Sequence, residues 1–387
     1  MEDFDVNKVA QKVMDAVKKE YTELKTLNVM ILGKTGVGKS TLINNMFNQK
    51  MTETGIGKPV TKEIRKIIKP DFPLAIYDTP GFELGGENAK SVLLNDITEE
   101  INRGIKSGDV SQAIHCIWYC VSTTSHRFEQ AETDFLKDLL DKTKNYEVPV
   151  IIVLTQSYAK KDTQALKKAI EKENLNIVSI VPVLAEDFEI NDEYTVKAYG
   201  LLQLSEIMNS VIPKTVQKAF AAVQKVNLNL KKRQAQAVVA TSAMTAAAIG
   251  SVPIPFSDAT VLVPEQIAML SGITAVFGLP IEKGTISAVI SATIGTTGTT
   301  VLGRSIVANV IKLIPGVGSV MGGAISATTA AALTAALGET YLLIMTRVYL
   351  GEMSLADIKT SKGKREMRHL FKKRLKIKRN KKGKPTD

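Results

Sequence analysis

The chain has 387 residues, 44% of them hydrophobic, and a formal net charge of +11. That length exceeds one typical domain, and its two cysteines, Cys116 and Cys120 on a single apolar run, exclude a disulfide framework and a thiolate metal site. The stretch from Lys362 to Asp387 holds 13 Lys and Arg against Glu366 and Asp387, so all the net positive charge resides there.

Residues 1–25 place Val6, Val9, Val13, Val17, Tyr21 and Leu24 at helical spacing. They are expected to form an amphipathic helix packed on the next domain, with a dimer contact as the sharper alternative. The acidic start is unlike a secretory signal, and a reducing, cytoplasmic-side location is expected. Next, LNVMILG reads as a buried strand and KSTLINNMF as the opening of a helix. Between them Gly33, Gly38, Lys39 and Ser40 spell G-x-x-x-x-G-K-S, in the strand-to-helix context that the pattern requires. Glycines let the backbone curl until successive N–H groups face phosphate oxygens, and the helix N-terminus adds partial positive charge. Lys34, Thr35, Gly36, Val37 and Thr41 complete the expected cradle. Lys39 is expected on the β and γ phosphates and Ser40 on Mg2+. A chance glycine turn is the bland alternative, and the strand and helix on either side argue against it.

Further along, GIGKPVTKEI offers Thr61 as a cap on the γ phosphate and Mg2+, released after hydrolysis. LAIYDTPGFE is a second apolar strand, ending in Asp78, which would hold Mg2+ through water, and Gly81, whose N–H would meet the γ phosphate. Catalysis is therefore assigned to Lys39, Thr61 and Gly81, and metal ligation to Ser40, Thr61 and Asp78. The apolar runs AIHCIWYCV, VPVIIVLTQS and NIVSIVPVLAED supply the remaining strands.

This order of P-loop, loop threonine and D-T-P-G resembles the Era-like, translation-factor class of bacterial P-loop GTPases over residues 26–212. The resemblance implies an α/β G-domain, a mostly parallel sheet flanked by helices, that binds GTP or GDP with Mg2+ and hydrolyses GTP. It also implies a guanine loop of the form [NT]-K-x-D, whose aspartate accepts two hydrogen bonds from the base. Here the loop reads Thr155, Gln156, Ser157, Tyr158, without that carboxylate, and Asp162 comes four residues later. Ala185, in VLAED, stands for the last guanine loop, its N–H directed at the base oxygen. Thr155, Gln156 and Ala185 are the base-side candidates, and base specificity stays open. Phe82 follows Gly81 where some relatives use a glutamine to orient water, and a phenyl ring cannot do so. Hydrolysis is thus expected to be slow, with acceleration from a partner, a homodimer contact or another loop. Arg127 is the candidate arginine contributor, against the commoner role of a solvent-facing helix start. Gly36 stands where potassium-activated relatives carry an asparagine.

From Pro213, suited to a first helical turn, one long helix is expected through KTVQKAFAAVQKVNLNLKKRQAQAVVATSAMTAAAIG. Charges then vanish over 234–257, 266–281, 285–303 and 313–338, lengths that span a bilayer or fill a bundle, though Ala, Gly, Ser and Thr make insertion marginal. Gly318, Gly322, Ser326, Ala330, Thr334 and Gly338 recur every four residues, a stripe that lets another helix approach closely. SVPIPFSD and LIPGVG cut the segment into hairpins. Residues 213–350 are read as an all-α helical-hairpin domain, similar to a Gly/Ala-rich helical domain of unknown function that follows G-domains in bacterial GTPases. Residues 351–387 are the basic tail, with Met367, Leu370, Phe371 and Leu375 along one face, and such a segment seeks an anionic surface. His115, His126 and His369 are scattered and assemble no second catalytic set.

Two functions from different classes remain. One is a GTP switch whose helical domain associates with, or inserts in, the inner face of a membrane while the tail holds anionic headgroups. The other is a cytosolic GTPase bound to RNA or the ribosome through the tail. The tail carries Phe371 as its lone aromatic, which favours the membrane over base stacking. A purely cytosolic GTP-binding scaffold is the blander third.

Overall fold

The computed structural model describes residues 6–52, 63–80, 86–125, 127–250, 262–279, 281–293 and 327–381. The chain divides into two compact units, Leu24–Asn227 and Met1–Glu23 together with Leu228–Asp387.

The first unit is a mostly parallel sheet flanked by helices. Its strands are β1 (Leu27–Leu32), β2 (Arg65–Lys69), β3 (Phe72–Asp78), β4 (Cys116–Ser122), β5 (Val150–Thr155) and β6 (Ser179–Pro182), in the order β2-β3-β1-β4-β5-β6. All pairings are parallel except β2 with β3. Every residue of β1, β4 and β5 is buried, as expected of parallel strands covered on both faces. At the edge, β2 leaves Arg65, Lys66 and Ile68 exposed, and its cations discourage pairing with another chain.

One sheet face packs Leu32, Tyr77, Tyr119 and Leu154 against α3 (Gly86–Lys106), α4 (Gln130–Thr143) and α5 (Lys160–Glu171) through Leu94, Ile97, Leu136 and Leu166. α2 (Lys39–Met46), α6 (Leu201–Val211) and α7 (Lys214–Val223) complete the unit, and Phe47 stacks on Trp118 with ring centroids 5.9 Å apart. After β6 comes a small antiparallel hairpin, β7 (Phe188–Asn191) and β8 (Tyr194–Val196). Because β1 lies between β3 and β4, the loops at the strand carboxyl ends splay apart beside β1, where open α/β sheets take their ligands.

The second unit is helical: α1 (Val6–Glu23), α8 (Leu228–Gly250), α9 (Leu262–Phe277), α10 (Lys283–Thr293), α11 (Ala327–Tyr349), α12 (Leu355–Lys359) and α13 (Ser361–Lys381). Its core joins Val13 and Val17 of α1 to Val239, Ile273, Phe277, Ile290, Tyr341, Ile344, Phe371 and Leu375. The expectation that the first helix packs on the G-domain is therefore corrected. The helix forms, but its apolar face covers α9 and α10, and the Tyr21 hydroxyl donates to the Ala275 carbonyl at 3.1 Å.

The single helix expected from Pro213 is two helices. Gln224 is extended, and its side-chain oxygen accepts the N–H groups of Val226 and Asn227 at 2.8 and 2.7 Å. Lys225 N–H donates to the Met46 carbonyl, so this break belongs to the G-domain and the helical unit begins at Leu228. Residues Met367, Phe371 and Leu375 are buried, which makes most of the expected tail a packed helix. Of the small-residue stripe, Gly318, Gly322 and Ser326 lie outside the described residues, as do both proline-containing breaks. Ala330 and Thr334 are buried, and a Cβ on Gly338 would stand 2.6 Å from Met269 Sδ and 2.7 Å from a Val239 methyl. The stripe thus lets α11 approach α8 and α9 closely. Among the described residues no helix is long and apolar enough to cross a membrane.

Lys231 is fully buried here and donates to the carbonyls of Val276 and Phe277, both at 3.0 Å, closing the C-terminus of α9. Burial pushes its ammonium from an ordinary value of 10.5 down to about 7. Between about pH 7 and pH 10 the unfolded chain then holds more protons at this residue than the folded chain, so its contribution makes stability rise with pH. Thermal unfolding of the full chain and a Lys231→Met variant across pH 6 to 10 is expected to show the wild type gaining several degrees on the variant through that window. Parallel profiles would contradict a buried titrating lysine.

Candidate functional site

At the carboxyl end of β1 the chain turns through Gly33, Gly36 and Gly38 with φ of 137°, 77° and 88°, values that favour glycine. Gly33 has a second reason to lack a side chain: a Cβ would lie 2.4 Å from the Cys120 carbonyl oxygen of β4. Gly38 forms the N-cap of α2, so the first free N–H groups of that helix open onto the loop. The Lys39 ammonium donates to the Gly33 and Lys34 carbonyls at 2.7 and 3.0 Å, which holds it across the curl. Thr35 and Gly36 are exposed at the loop tip, and Val37 is buried beneath it. Residues 33–41 thus form a glycine-rich curl that joins β1 to the N-terminus of α2.

Lys34 points elsewhere. Its ammonium pairs with Glu129 at 2.9 Å and Glu132 at 3.2 Å at the start of α4. Burial lowers its pKa, but the two carboxylates outweigh that and the net shift is upward. Lys34 therefore fastens the loop to α4 with its side chain.

The structure brings Thr155 and Gln156 to the same loop. Thr155 Oγ1 donates to the Val37 carbonyl at 2.5 Å, and Gln156 Nε2 to the Gly36 carbonyl at 3.4 Å. Gln156 has a positive φ of 54°, and its side-chain oxygen accepts from Ser122 Oγ at 2.5 Å and Thr124 Oγ1 at 3.3 Å. Its backbone carbonyl accepts from Thr123 Oγ1 at 2.7 Å. The residue at the usual lysine position is thus an amide hub between the end of β4 and the P-loop. The signal was the hydroxyl run Ser122-Thr123-Thr124, whose purpose sequence reasoning missed. Tyr158, at the usual aspartate position, stacks on Phe188 with centroids 4.4 Å apart. The loop carrying Ala185 is pinned by paired backbone hydrogen bonds between Leu184 and Tyr199, while the Tyr199 hydroxyl donates to the Ser157 carbonyl.

Asp78 ends β3 beside these loops. Burial raises its carboxyl pKa, while Lys39 and Arg65 pull it down, and its Oδ1 is buried without a hydrogen-bond partner. An orphaned carboxylate oxygen facing a phosphate loop fits a metal held through water. Among the described residues no group of three or more His, Cys, Asp or Glu forms a metal cage. Mg2+ keeps most of its waters and takes its remaining ligands from phosphates and from one or two side chains, for which Ser40 at the start of α2 is the expected partner of Asp78. Thr61, Gly81, Phe82 and His126 lie outside the described residues. Arg127 is exposed ahead of α4, in keeping with the surface role.

Lys39→Ala is expected to weaken triphosphate binding at least a hundredfold by titration calorimetry, and undiminished affinity would contradict the cradle. Thr155→Val removes one brace worth about 1 kcal/mol and is expected to weaken binding roughly five- to tenfold. Unchanged affinity in that variant would show that Thr155 does not support the loop.

A sequence-family model described as Septin matches residues 24–235, more than half of the chain. Septin-9 of Rattus norvegicus is 31% identical over 165 residues, covering 37% of this chain and 28% of that protein. Septin-12 of Homo sapiens is 24% identical over 190 residues, covering 43% and 52%. The chain thus spans about half, or less, of the length of these relatives. The solved structure of Toc33 from Arabidopsis thaliana in complex with Mg2+ and GMPPNP covers 55% of this chain and 92% of its own at 18% identity and a TM-score of 0.32, a likeness too slight to carry a conclusion. The Era-like assignment is overturned, and the bacterial reading falls with it because these septins are eukaryotic. The P-loop and D-T-P-G recur across G-domains and do not separate their branches, whereas the match over 24–235 does. The chain belongs to the septin family of P-loop GTPases.

Proposed function

We propose that this septin-family chain binds GTP with Mg2+ and hydrolyses it slowly, and that the nucleotide state governs how its helical unit meets an anionic membrane surface. The observation that carries the nucleotide half is the P-loop curl, with Lys39 across it and the orphaned Asp78 oxygen beside it. Lys39, Thr61 and Gly81 act on the γ phosphate, and Ser40, Thr61 and Asp78 hold the metal. Mg2+ supplies charge neutralisation between the phosphates. Acceleration comes from a contact with a second copy or a partner.

The membrane half is supported by α13. With Met367, Phe371 and Leu375 turned into the helical core, Lys362, Arg365, Arg368, Lys372 and Lys373 are left exposed. They extend about 16 Å along the helix at 1.5 Å per residue. At about 1 kcal/mol per cation near an anionic leaflet, five suffice for reversible association. The apolar face of α13 is already covered, so the helix acts as an electrostatic plate and not as a wedge. Phe371, the aromatic an RNA reader would stack on a base, is buried, which counts against the ribosomal alternative.

Flotation of the full chain with phosphatidylserine liposomes, with a GTP analogue and with GDP, tests this. Nucleotide-dependent flotation is expected, reduced several-fold by Arg365→Glu with Lys372→Glu. Absence of flotation in every state, or its loss to competing ribosomal RNA, would overturn the membrane half.

A further inference from the structure

We infer that Glu186 supplies the carboxylate that reads the guanine base, in place of the aspartate that the loop after β5 lacks. This rests on the GTP reading above and names the residue responsible for it. The edge of guanine offers two adjacent donors, N1–H and the 2-amino group, and a carboxylate accepts both at once.

The loop after β5 has no such group to give. The Thr155 hydroxyl is spent on Val37, Gln156 on Gly36, Ser122 and Thr124, and the Tyr158 ring on Phe188. The next carboxylate, Asp162, sits in the first turn of α5. The neighbouring loop at the same end of the sheet follows β6 and carries Ala185, Glu186 and Asp187. Asp187 is committed to the hairpin, bonding the Lys197 ammonium and the Ala198 N–H, both at 2.8 Å. Glu186 is exposed, and no hydrogen bond or ion pair holds it among the described residues. It lines a polar cleft of about 340 Å³ with Thr41, Asn44 and Asn45 of α2. Thr41 directly follows the metal-side Ser40, so the cleft begins where the phosphate cradle ends. The Ala185 N–H, expected on the base oxygen, is one residue away. A single loop then presents one donor and one bidentate acceptor to the base.

The test is affinity for GTP, XTP and ATP in the full chain and in Glu186→Gln. An amide at 186 loses the acceptor for the 2-amino group and gains a donor for the C2 oxygen of xanthine. GTP is expected to weaken at least tenfold, XTP to strengthen, and ATP to stay unchanged. Glu186 is a surface residue, and circular dichroism confirms that the variant folds. A wild type that prefers GTP, with a variant whose GTP to XTP ratio is unchanged, overturns the role of Glu186 alone. A wild type that takes ATP as readily as GTP overturns the guanine reading and this inference together.

Discussion

A backbone that turns its N–H groups inward to hold phosphate must find donors for the carbonyls left over. In this chain four such carbonyls are satisfied by three side chains: Lys39 serves Gly33 and Lys34, Gln156 serves Gly36, and Thr155 serves Val37. Much else follows from that requirement. β5 must lie one strand beyond β4 so that its last residue reaches the loop, and β4 must pass close enough to β1 that residue 33 tolerates no side chain. Asp78 ends β3 beside the loop, its Oδ1 buried without a hydrogen-bond partner, and burial raises its carboxyl pKa against the pull of Lys39 and Arg65.

The sequence Thr155-Gln156-Ser157-Tyr158 departs from the familiar guanine loop, and the structure separates what that loop does into two tasks. Bracing the P-loop needs only donors, and an amide serves Gly36 as an ammonium would, without a charge near the base. The amide also accepts, which a lysine cannot, and so it recruits Ser122 and Thr124 into the same network. Reading the base needs a carboxylate, and Tyr158 has instead become part of an aromatic stack that anchors the β7–β8 hairpin. The hairpin and the guanine loop are thereby one structural piece, tied again by Tyr199 to Ser157.

Local chemistry made the P-loop legible: glycine spacing, a lysine, a serine, an apolar strand before and a helix after. The five parallel strands were legible for the same reason, since covered parallel strands are continuous apolar runs, whereas β2, antiparallel and half-exposed, is not such a run. Partners were not. The stripe from Val6 to Leu24 shows that a face is buried but not against what, and it proved to cover α9 and α10. The break at Gln224–Asn227 carries no proline or glycine. It depends on a glutamine folding back on its own backbone and on Lys225 bonding Met46. The basic segment reads as a tail that seeks an anionic surface because 13 of its residues are cations, yet three apolar residues at i, i+4 and i+8 are buried and dock it. The family was hidden because the residues that touch phosphate are common to many G-domains.

The central claim is that residues 33–41 present their backbone N–H groups to the phosphates of a Mg2+-bound guanine nucleotide. Amide hydrogen exchange of the full chain, with and without GTP and Mg2+, reports on those groups directly. Slowed exchange across 33–41, accompanied by 155–158 and 184–186 and lost when GTP is omitted, is the result this account predicts. Exchange in 33–41 that is indifferent to saturating GTP and Mg2+ would contradict it.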